Sequence, residues 1–308
     1  MIQPHIESSP QEIARFEVVG LEFAEDLEEM RKVLRNKVEG NSVVRRPAVA
    51  GSFYPSDPEE LQQSLAELVG PAISKGAARK DPIALIAPHA GYRYSGRTAG
   101  IAFEEFRDSE DRIERVVVIG PSHRVRLRGL ALPGCDAFQT PLGSIPIDRE
   151  LVELMTLLPQ ISVNAAAHAM EHSLEVELPF LQTILGEFRL LPLVVGMATP
   201  EEVAEVLRVA WSLPGTRVVV SSDLSHYLPD AEAQVVDRAT AERILSLDYP
   251  LEPHEACGAV PINGLLCAGQ TGGLVPRLLD LRNSSAASGD FEQVVGYGAF
   301  AFDRKLKE

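Results

Sequence analysis

Residues 83–96 read IALIAPHAGYRYSG, and this stretch changes character within a few positions. Residues 83–87 are all apolar, which predicts a short strand buried on both faces. Pro88 cannot donate a hydrogen bond to a neighbouring strand, so it ends the strand. His89 follows at once, where a simple connecting loop has no need of an imidazole. The stretch therefore predicts a buried strand that delivers a histidine at its carboxyl end.

Similar strands recur along the chain, separated by helical patterns. The other apolar runs of strand length are RVVVIG (115–120), FRLLPLVVG (188–196), TRVVVSS (216–222) and VVGYGAFAF (294–302). The helical patterns, each opening on a Ser, Asp or Thr that can cap a helix, are SDPEELQQSLAELV (56–69), DRELVELMTLL (148–158), TPEEVAEVLRVAWSL (199–213) and DAEAQVVDRATAERILSL (230–247). This alternation predicts one α/β domain with a largely parallel central sheet and helices on both faces.

Composition and charge exclude several classes of protein. The chain has 308 residues, 45% of them hydrophobic, which suffices for a sizeable core. Its formal net charge of −15 argues against nucleic acid as a partner, because phosphate binding needs a basic face. No apolar run approaches the roughly 20 residues that span a bilayer, so no membrane association is expected. The N-terminus lacks the layout of a signal peptide, and three cysteines are too few for a disulfide framework, so we expect a cytoplasmic protein.

The first 44 residues differ from the rest. Residues 23–40, FAEDLEEMRKVLRNKVEG, are charged and permit a helix, but their apolar positions are sparse. We therefore divide the chain into an N-terminal extension, residues 1–44, and an α/β domain, residues 45–308. The extension either packs on the surface and mediates contacts or forms a partly disordered arm.

Three predicted strands each deliver a histidine within a few residues of the carboxyl end: His89, His123 and His226. In open α/β sheets, ligands bind in the crevice outside those ends. For any single histidine, a satisfied loop residue is the commoner outcome. The chain has only seven histidines, however, so three of them in equivalent positions indicate a shared site.

The three cysteines differ in setting. Cys257 lies in an irregular loop before a predicted helix start at Ile262, a setting that favours a reactive or metal-binding thiol. Cys267 lies on an apolar helix face and is interpreted as a core residue, and Cys135 as a loop thiol.

A short match to a metalloprotease motif also occurs. Residues 168–172, HAMEH, fit the H-x-x-E-H pattern in which two helical histidines bind zinc. Residues four apart share a helix face, so the pattern is physically sound. It needs a third, downstream ligand that the sequence does not identify, and a zinc metalloprotease is therefore the weaker alternative.

Longer motifs carry a resemblance to a known family. RRPAVAGSFYP, APHAGYRYSG, GPSHR, EHSLEVELPFLQ, SSDLSHY and CGAVPINGLL occur in the order and spacing of the Memo family. The chain resembles that family over residues 45–303. The family includes system protein B of the prokaryotic AmmeMemoRadiSam gene set. Six motifs in a fixed order are far more specific than any single one.

The resemblance implies a fold and a site. The Memo family looks like the catalytic subunits of class III extradiol dioxygenases, which are non-haem iron enzymes, so an extradiol-dioxygenase (LigB)-like fold is expected. Carried over position by position, the metal ligands are His89, His123 and Cys257. The residues that the resemblance places around the same pocket are His172, Asp223 and His226.

The expected cofactor is Fe(II), with Cu or Zn as alternatives, because two imidazoles and a thiolate suit all three metals. His226 is predicted to be a general acid or base, since its ordinary pKa lies near neutrality. His172 is predicted to contact the substrate or a metal-bound water, and Asp223 to orient an imidazole. Cys257 stands where the dioxygenase pattern has a carboxylate, which puts ring cleavage in doubt.

Other polar residues near these motifs are interpreted as follows. Tyr54 and Tyr92 are predicted to bind the substrate through a hydrogen bond or a stacking contact, with packing at a strand end as the alternative. His168 is predicted to lie at the surface. Glu175 and Glu177 are predicted to be solvated charges, with an inward-pointing Glu175 as the alternative.

Two functions follow from this reading. The first is a redox metalloenzyme that acts on an unidentified small-molecule substrate. The second is an accessory or interaction protein with a retained metal pocket. The gene-set resemblance implies an AMMECR-type protein and a radical SAM protein as partners, by analogy. The intact set of chemically competent residues favours the enzyme.

Overall fold

A computed structural model describes residues 42–70, 81–107, 109 and 112–305, and the statements below concern those residues. The residues from Val44 onward form one compact unit. Most of the predicted N-terminal extension, residues 1–41, lies outside the described residues, so its assignment stays a prediction.

Strands and helices alternate along the described chain. In chain order the strands are β1 (Val44–Arg45), β2 (Ala84–Ala87), β3 (Arg115–Pro121), β4 (Leu130–Leu132), β5 (Ala137–Thr140), β6 (Gly143–Pro146), β7 (Ile161–Val163), β8 (Arg189–Val195), β9 (Thr216–Ser221), β10 (His226–Leu228), β11 (Leu274–Asn283) and β12 (Val294–Arg304). The helices are α1 (Pro58–Val69), α2 (Tyr92–Glu104), α3 (Arg149–Met155), α4 (Ala165–Ala169), α5 (Leu178–Leu185), α6 (Pro200–Ala210), α7 (Asp230–Leu245), α8 (Ala259–Gly272) and α9 (Ser285–Ser288), and a 3₁₀ turn spans Glu175–Glu177.

The main sheet has a parallel centre and antiparallel flanks. Its strand order is β10-β12-β2-β9-β3-β8-β4-β7, and β11 pairs with β12. The pairs β2–β9, β9–β3 and β3–β8 are parallel, whereas β12–β2 and β8–β4 are antiparallel. The five strands expected from the sequence are β12, β2, β9, β3 and β8, which are neighbours at the middle of the sheet. A second, small sheet has the order β1-β5-β6. The predicted α/β class, with a parallel central sheet, is confirmed.

The central strands consist mainly of apolar residues because both faces of the sheet are covered. Successive side chains of a strand point to opposite faces. In β9, Val218 and Val220 accordingly join one buried cluster, while Val219 joins the other. Helices α6 and α8 pack on the first cluster, and α1 and α2 pack on the second.

Capping side chains start the helices where the sequence indicated. Asp57 accepts hydrogen bonds from the backbone N–H groups of Glu59 and Glu60 at the start of α1. Thr199 and Glu202 form a capping box at the start of α6. Helix α8 begins at Ala259, three residues before the predicted start, because the first-turn N–H groups have no helical partner and Pro261 is tolerated there. Cys257 therefore immediately precedes the N-cap residue Gly258.

Among the described residues, no helix combines the length and the apolar character needed to cross a lipid bilayer.

Candidate metal centre

The site lies where three parallel strands end side by side. Strands β2, β9 and β3 are adjacent, and their carboxyl ends are Ala87, Ser221 and Pro121. A cavity of about 700 Å³ opens at this edge of the sheet. The predicted residues that line the cavity are His89, His123, His172, Asp223, His226 and Cys257. Its remaining wall is formed by Arg124, Tyr227, Leu228, Glu232, Val236, Pro253 and His254.

Three imidazoles form a tight cluster in this cavity. His89, His123 and His172 each offer one ligand atom, and these atoms lie within 4.8 Å of one another. The ring centroids of His123 and His172 are 4.7 Å apart, and both lie just over 5 Å from that of His89. Imidazole nitrogens bind transition metals at about 2.0–2.1 Å, so atoms this close need only small movements to share one ion. The donor set fits a transition-metal ion.

Glu171 orients two of the three imidazoles. Its carboxylate accepts hydrogen bonds from the backbone N–H of His123 at 2.7 Å and from the ring Nδ1 of His123 at 2.9 Å. The Nδ1 atom of His172 lies 3.4 Å from the same carboxylate. These contacts leave the Nε2 atoms of both rings for a ligand. Burial acts to raise the pKa of Glu171, but the hydrogen bonds from His123 and backbone N–H groups outweigh it and lower the pKa to about 2.

Glu171 was not among the predicted site residues. It is the glutamate of the HAMEH match, so the sequence did single it out, but for a different chemistry.

His89 and His172 are both neutral at pH 7. His89 is 2% exposed, and burial together with the neighbouring His123 lowers its pKa well below the ordinary value. Its Nδ1 lies 2.7 Å from the Ser221 hydroxyl, so its Nε2 remains available. Burial, and then the proximity of His123, lowers the pKa of His172 to about 4. A neutral imidazole is the form that binds a metal.

Cys257 lies beside the histidine cluster. Its Sγ is 3.4 Å from Nε2 of His89 and accepts a hydrogen bond from the backbone N–H of Asp223 at 3.3 Å. Burial and the carboxyl of Asp223 raise the pKa of the thiol to about 12, so without a metal it is protonated. The compact set of ligand atoms contains His172 rather than the predicted ligand Cys257. His172, which was predicted as a pocket residue and not as a ligand, is therefore added to the ligand candidates His89, His123 and Cys257.

Asp223 and His226 both line the cavity, but their side chains have different hydrogen-bond partners. The Asp223 carboxylate accepts a hydrogen bond from the backbone N–H of His89 at 2.8 Å, so it anchors the loop after β2 rather than an imidazole. Burial raises the pKa of Asp223 to about 7. His226 is half-buried, and its Nδ1 lies 2.8 Å from the carbonyl oxygen of Leu224. The proton is therefore on Nδ1, and the Nε2 lone pair is unused within the described structure.

Tyr54 and Tyr92 lie in the core and do not line the cavity, contrary to the expectation that they bind substrate. They are 3% and 4% exposed. The Tyr54 hydroxyl donates to Glu175 at 2.6 Å, and the Tyr92 hydroxyl donates to the carbonyl oxygen of Val176 at 2.9 Å. Both tyrosines are therefore core packing residues, which was the alternative that the sequence left open. Their hydroxyls bond to acceptors inside the protein, as buried hydroxyls generally do.

The expectation that His168 lies at the surface is wrong. His168 is 1% exposed, and its Nε2 contacts the carbonyl oxygen of Ala131 at 2.7 Å. Helix α4 ends at Ala169, so His168 and His172 do not share a helix face. The helical metalloprotease motif is not formed.

The two glutamates expected to be solvated are both 0% exposed. Glu175 forms an ion pair with Arg45 and accepts three further hydrogen bonds. Glu177 contacts the hydroxyl of Ser221 at 2.7 Å. The sequence did not favour burial of either glutamate, because a Glu-x-Glu pattern near a helix start is typical of an exposed first turn.

Comparisons with known proteins agree with the motif resemblance. The family model described as "Memo-like protein" matches residues 45–301. A MEMO1 family protein of Archaeoglobus fulgidus is 39% identical over 277 residues, covering 84% of this chain and 99% of the relative. MEMO1 family proteins of Methanopyrus kandleri and Aquifex aeolicus are 38% and 36% identical, each also covering 84% of this chain and 99% of the relative. A solved structure of an uncharacterized Escherichia coli K12 protein aligns with a TM-score of 0.46 and 14% identity, over 71% of this chain and 98% of that one.

Proposed function

The chain belongs to the Memo-like family, and from this premise we propose that it is a metal-dependent redox enzyme acting on a small organic substrate. The observation that carries the proposal is the cluster of His89, His123 and His172 at the carboxyl edge of the sheet. The proposed metal is Fe(II), in line with the resemblance to extradiol dioxygenases, and the donor set also suits Cu or Zn. The adjoining cavity of about 700 Å³ leaves room for a small substrate.

Each residue of the site has a separate proposed role. When bound, Fe(II) supplies a redox centre with open positions for substrate or dioxygen. The three imidazoles would hold the ion, and Glu171 fixes the orientation of His123 through its Nδ1. Asp223 fixes the backbone of His89. His226 exchanges a proton with the substrate at Nε2, because its Nδ1 proton is already engaged by Leu224.

Cys257 is proposed as a further ligand. It lies 3.4 Å from Nε2 of His89, so a metal bound there would come within reach of the sulfur. A metal ion deprotonates a coordinating thiol. Cys257→Ser should therefore lower the metal content while leaving the fold intact. The matched control is Cys267→Ser in the core, which should lower stability and leave metal content unchanged. Equal metal content by elemental analysis in both variants would remove Cys257 from the ligand set.

The enzyme proposal is tested by oxygen consumption of protein purified without oxygen and loaded with Fe(II). His226→Gln keeps roughly the shape of the side chain but removes the exchangeable proton. It should retain metal and lose turnover by a factor on the order of 10² to 10⁴. His89→Gln should lose metal and turnover together.

Two outcomes would contradict the proposal at different points. Wild-type turnover in His226→Gln at full metal occupancy would mean that His226 moves no proton in this reaction. A Fe(II)-loaded wild-type protein that consumes no oxygen would favour the accessory function, with an AMMECR-type protein and a radical SAM protein as the partners to test.

A further inference from the structure

A buried hydroxyl behind His89 has three polar neighbours. The Oγ atom of Ser221, at the end of β9, lies 2.7 Å from Nδ1 of His89 and 2.6 Å from the carbonyl oxygen of Ser173. It also lies 2.7 Å from Oε1 of Glu177. Ser173, Glu177 and Ser221 are 0% exposed. Because no solvent reaches this group, the four polar atoms must satisfy one another.

The number of protons available determines which of these atoms donates a hydrogen bond and which accepts one. A hydroxyl has one proton to donate and two lone pairs that accept. The carbonyl oxygen of Ser173 can only accept, so it takes the Ser221 proton. The other two contacts must then use the lone pairs of Oγ, and both partners must donate. His89 donates through Nδ1–H. Glu177 can donate only if its carboxyl is protonated.

An ionised Glu177 would be poorly supported. It would have to share the single Ser221 proton with the carbonyl oxygen of Ser173, and its Oε2 has no hydrogen-bond partner among the described residues. The titratable groups that act on it, Asp223 and Tyr92, carry negative charge or none. Burial raises the pKa of Glu177 well above the ordinary value; the hydrogen bond with Ser221 opposes this increase, and Asp223 adds to it. An unpaired buried charge of this kind neutralises instead.

We infer that Glu177 is held as a neutral carboxylic acid that donates to Ser221, and that the two residues fix His89 in the tautomer with its proton on Nδ1 and its Nε2 lone pair facing the cavity. Glu177 and Ser221 are positioning residues, since neither lines the cavity. The protonation of Glu177 holds without a metal. Its consequence for ligation rests on the proposed function.

Glu177 and Ser221 position His89 in a different way from that in which Glu171 positions His123. A carboxylate behind His123 adds negative charge to the site, whereas a neutral hydroxyl and a neutral acid behind His89 fix the ring without adding charge. The two ligands therefore have the same free atom, Nε2, but different basicity.

Infrared spectroscopy of the metal-free protein at pH 7 tests the protonation. The difference spectrum between wild type and Glu177→Gln should contain the carbonyl stretch of a protonated carboxyl. The matched difference with Glu175→Gln should contain carboxylate bands only. A difference spectrum that lacks this stretch would overturn the inference, whereas a protonated-carboxyl band of another group, such as Asp223, is common to both proteins and cancels. If Glu177→Gln does not fold, carboxyl ¹³C shifts of wild-type protein labelled at glutamate decide the same question.

Cobalt(II) titration tests the consequence for His89, with circular dichroism as the check on folding. Ser221→Ala should bind cobalt about 10- to 100-fold more weakly, the usual effect of losing a group that orients a ligand. Glu177→Gln should bind about as tightly as wild type, because its amide N–H donates in place of the acid. Unchanged affinity in Ser221→Ala would overturn the positioning role. Absence of cobalt binding in wild type would overturn the proposed metal site, while the infrared result still decides the state of Glu177.

Discussion

Two glutamates in one 3₁₀ turn, both inaccessible to solvent, have opposite surroundings. Glu175 faces β1 and the segment that follows it: Arg45 of β1 pairs with Glu175, and the backbone N–H groups of Ala48 and Val49 donate to it at 2.8 and 3.0 Å. Tyr54 donates a further hydrogen bond. Glu177 faces the end of β9 and contacts only the Ser221 hydroxyl, with one oxygen unpartnered in the described structure.

Because the two carboxyls are equally buried, burial cannot account for the difference between them, and the number of donors around each one decides its charge. Four donors, one of them a cation, suit a carboxylate that can only accept. Glu177 has one hydrogen-bonding neighbour in the described structure, the Ser221 hydroxyl, whose proton goes to the carbonyl oxygen of Ser173, and this arrangement suits a neutral acid. Each state serves the site differently: the charged Glu175 pairs with Arg45, which also donates to the carbonyl oxygen of Glu171, and the neutral Glu177 holds Ser221 behind His89.

The largest expected effect is that of Glu175→Gln. It leaves the buried guanidinium of Arg45 without its counter-charge, so the free energy of unfolding should fall by about 3–5 kcal/mol. Denaturant unfolding at pH 7 measures this. Adding Arg45→Met should recover part of the loss, because an apolar side chain leaves no unpaired charge. A loss below about 1 kcal/mol would mean that the Arg45–Glu175 pair behaves as a solvated one.

Glu177→Gln should change the pH dependence of stability instead. Below its ordinary pKa of 4.5, Glu177 is protonated in both the folded and the unfolded chain, so it contributes no pH dependence. Above 4.5 the unfolded chain releases the proton while the folded chain retains it, and wild type loses about 1.4 kcal/mol per pH unit. The glutamine variant lacks this loss.

Denaturant unfolding of both proteins between pH 4 and 7 checks this expectation. The stability of Glu177→Gln relative to wild type should rise as the pH rises. A difference that is flat with pH, or that falls, would mean that Glu177 ionises in the folded protein and would erase the contrast with Glu175.

The two buried tyrosines extend the comparison at smaller magnitude. Tyr54→Phe removes a donor to the charged Glu175 and should lower the free energy of unfolding by about 1.5–3 kcal/mol. Tyr92→Phe removes a bond to the neutral carbonyl of Val176 and should lower it by about 0.5–1.5 kcal/mol. Metal content should be unchanged in both variants. Equal losses in stability would indicate that Glu175 is not charged. A loss of metal in either variant would mean that the tyrosine concerned does contribute to the metal site.

Much of the fold was predictable because its signals are local. The runs at β2, β3, β8, β9 and β12 consist mainly of apolar residues, since both faces of the central sheet are covered. The peripheral strands β4, β7 and β10 have three residues each, too few for a hydrophobic period to be read.

The site was predictable in outline for the same reason. Parallel strands end at one edge, so the histidines that follow β2 and β3 had to meet, and the cavity does contain both. The burial of His168, Glu175 and Glu177 could not be derived from the sequence, which allowed an inward-pointing Glu175 only as the alternative. It depends on Ala131, Arg45 and Ser221, which lie between 37 and 130 positions away in sequence.

The sequence by itself determined the five central strands, the parallel centre and the edge at which the histidines gather, because hydrophobic runs and strand ends are properties of short segments. Only the tertiary structure decided which imidazoles cluster, that Glu171 orients two of them, and that Glu175 and Glu177 differ in their donors. The physical reason is that the state of a buried polar group depends on how many donors and acceptors surround it, and those partners come from distant parts of the chain.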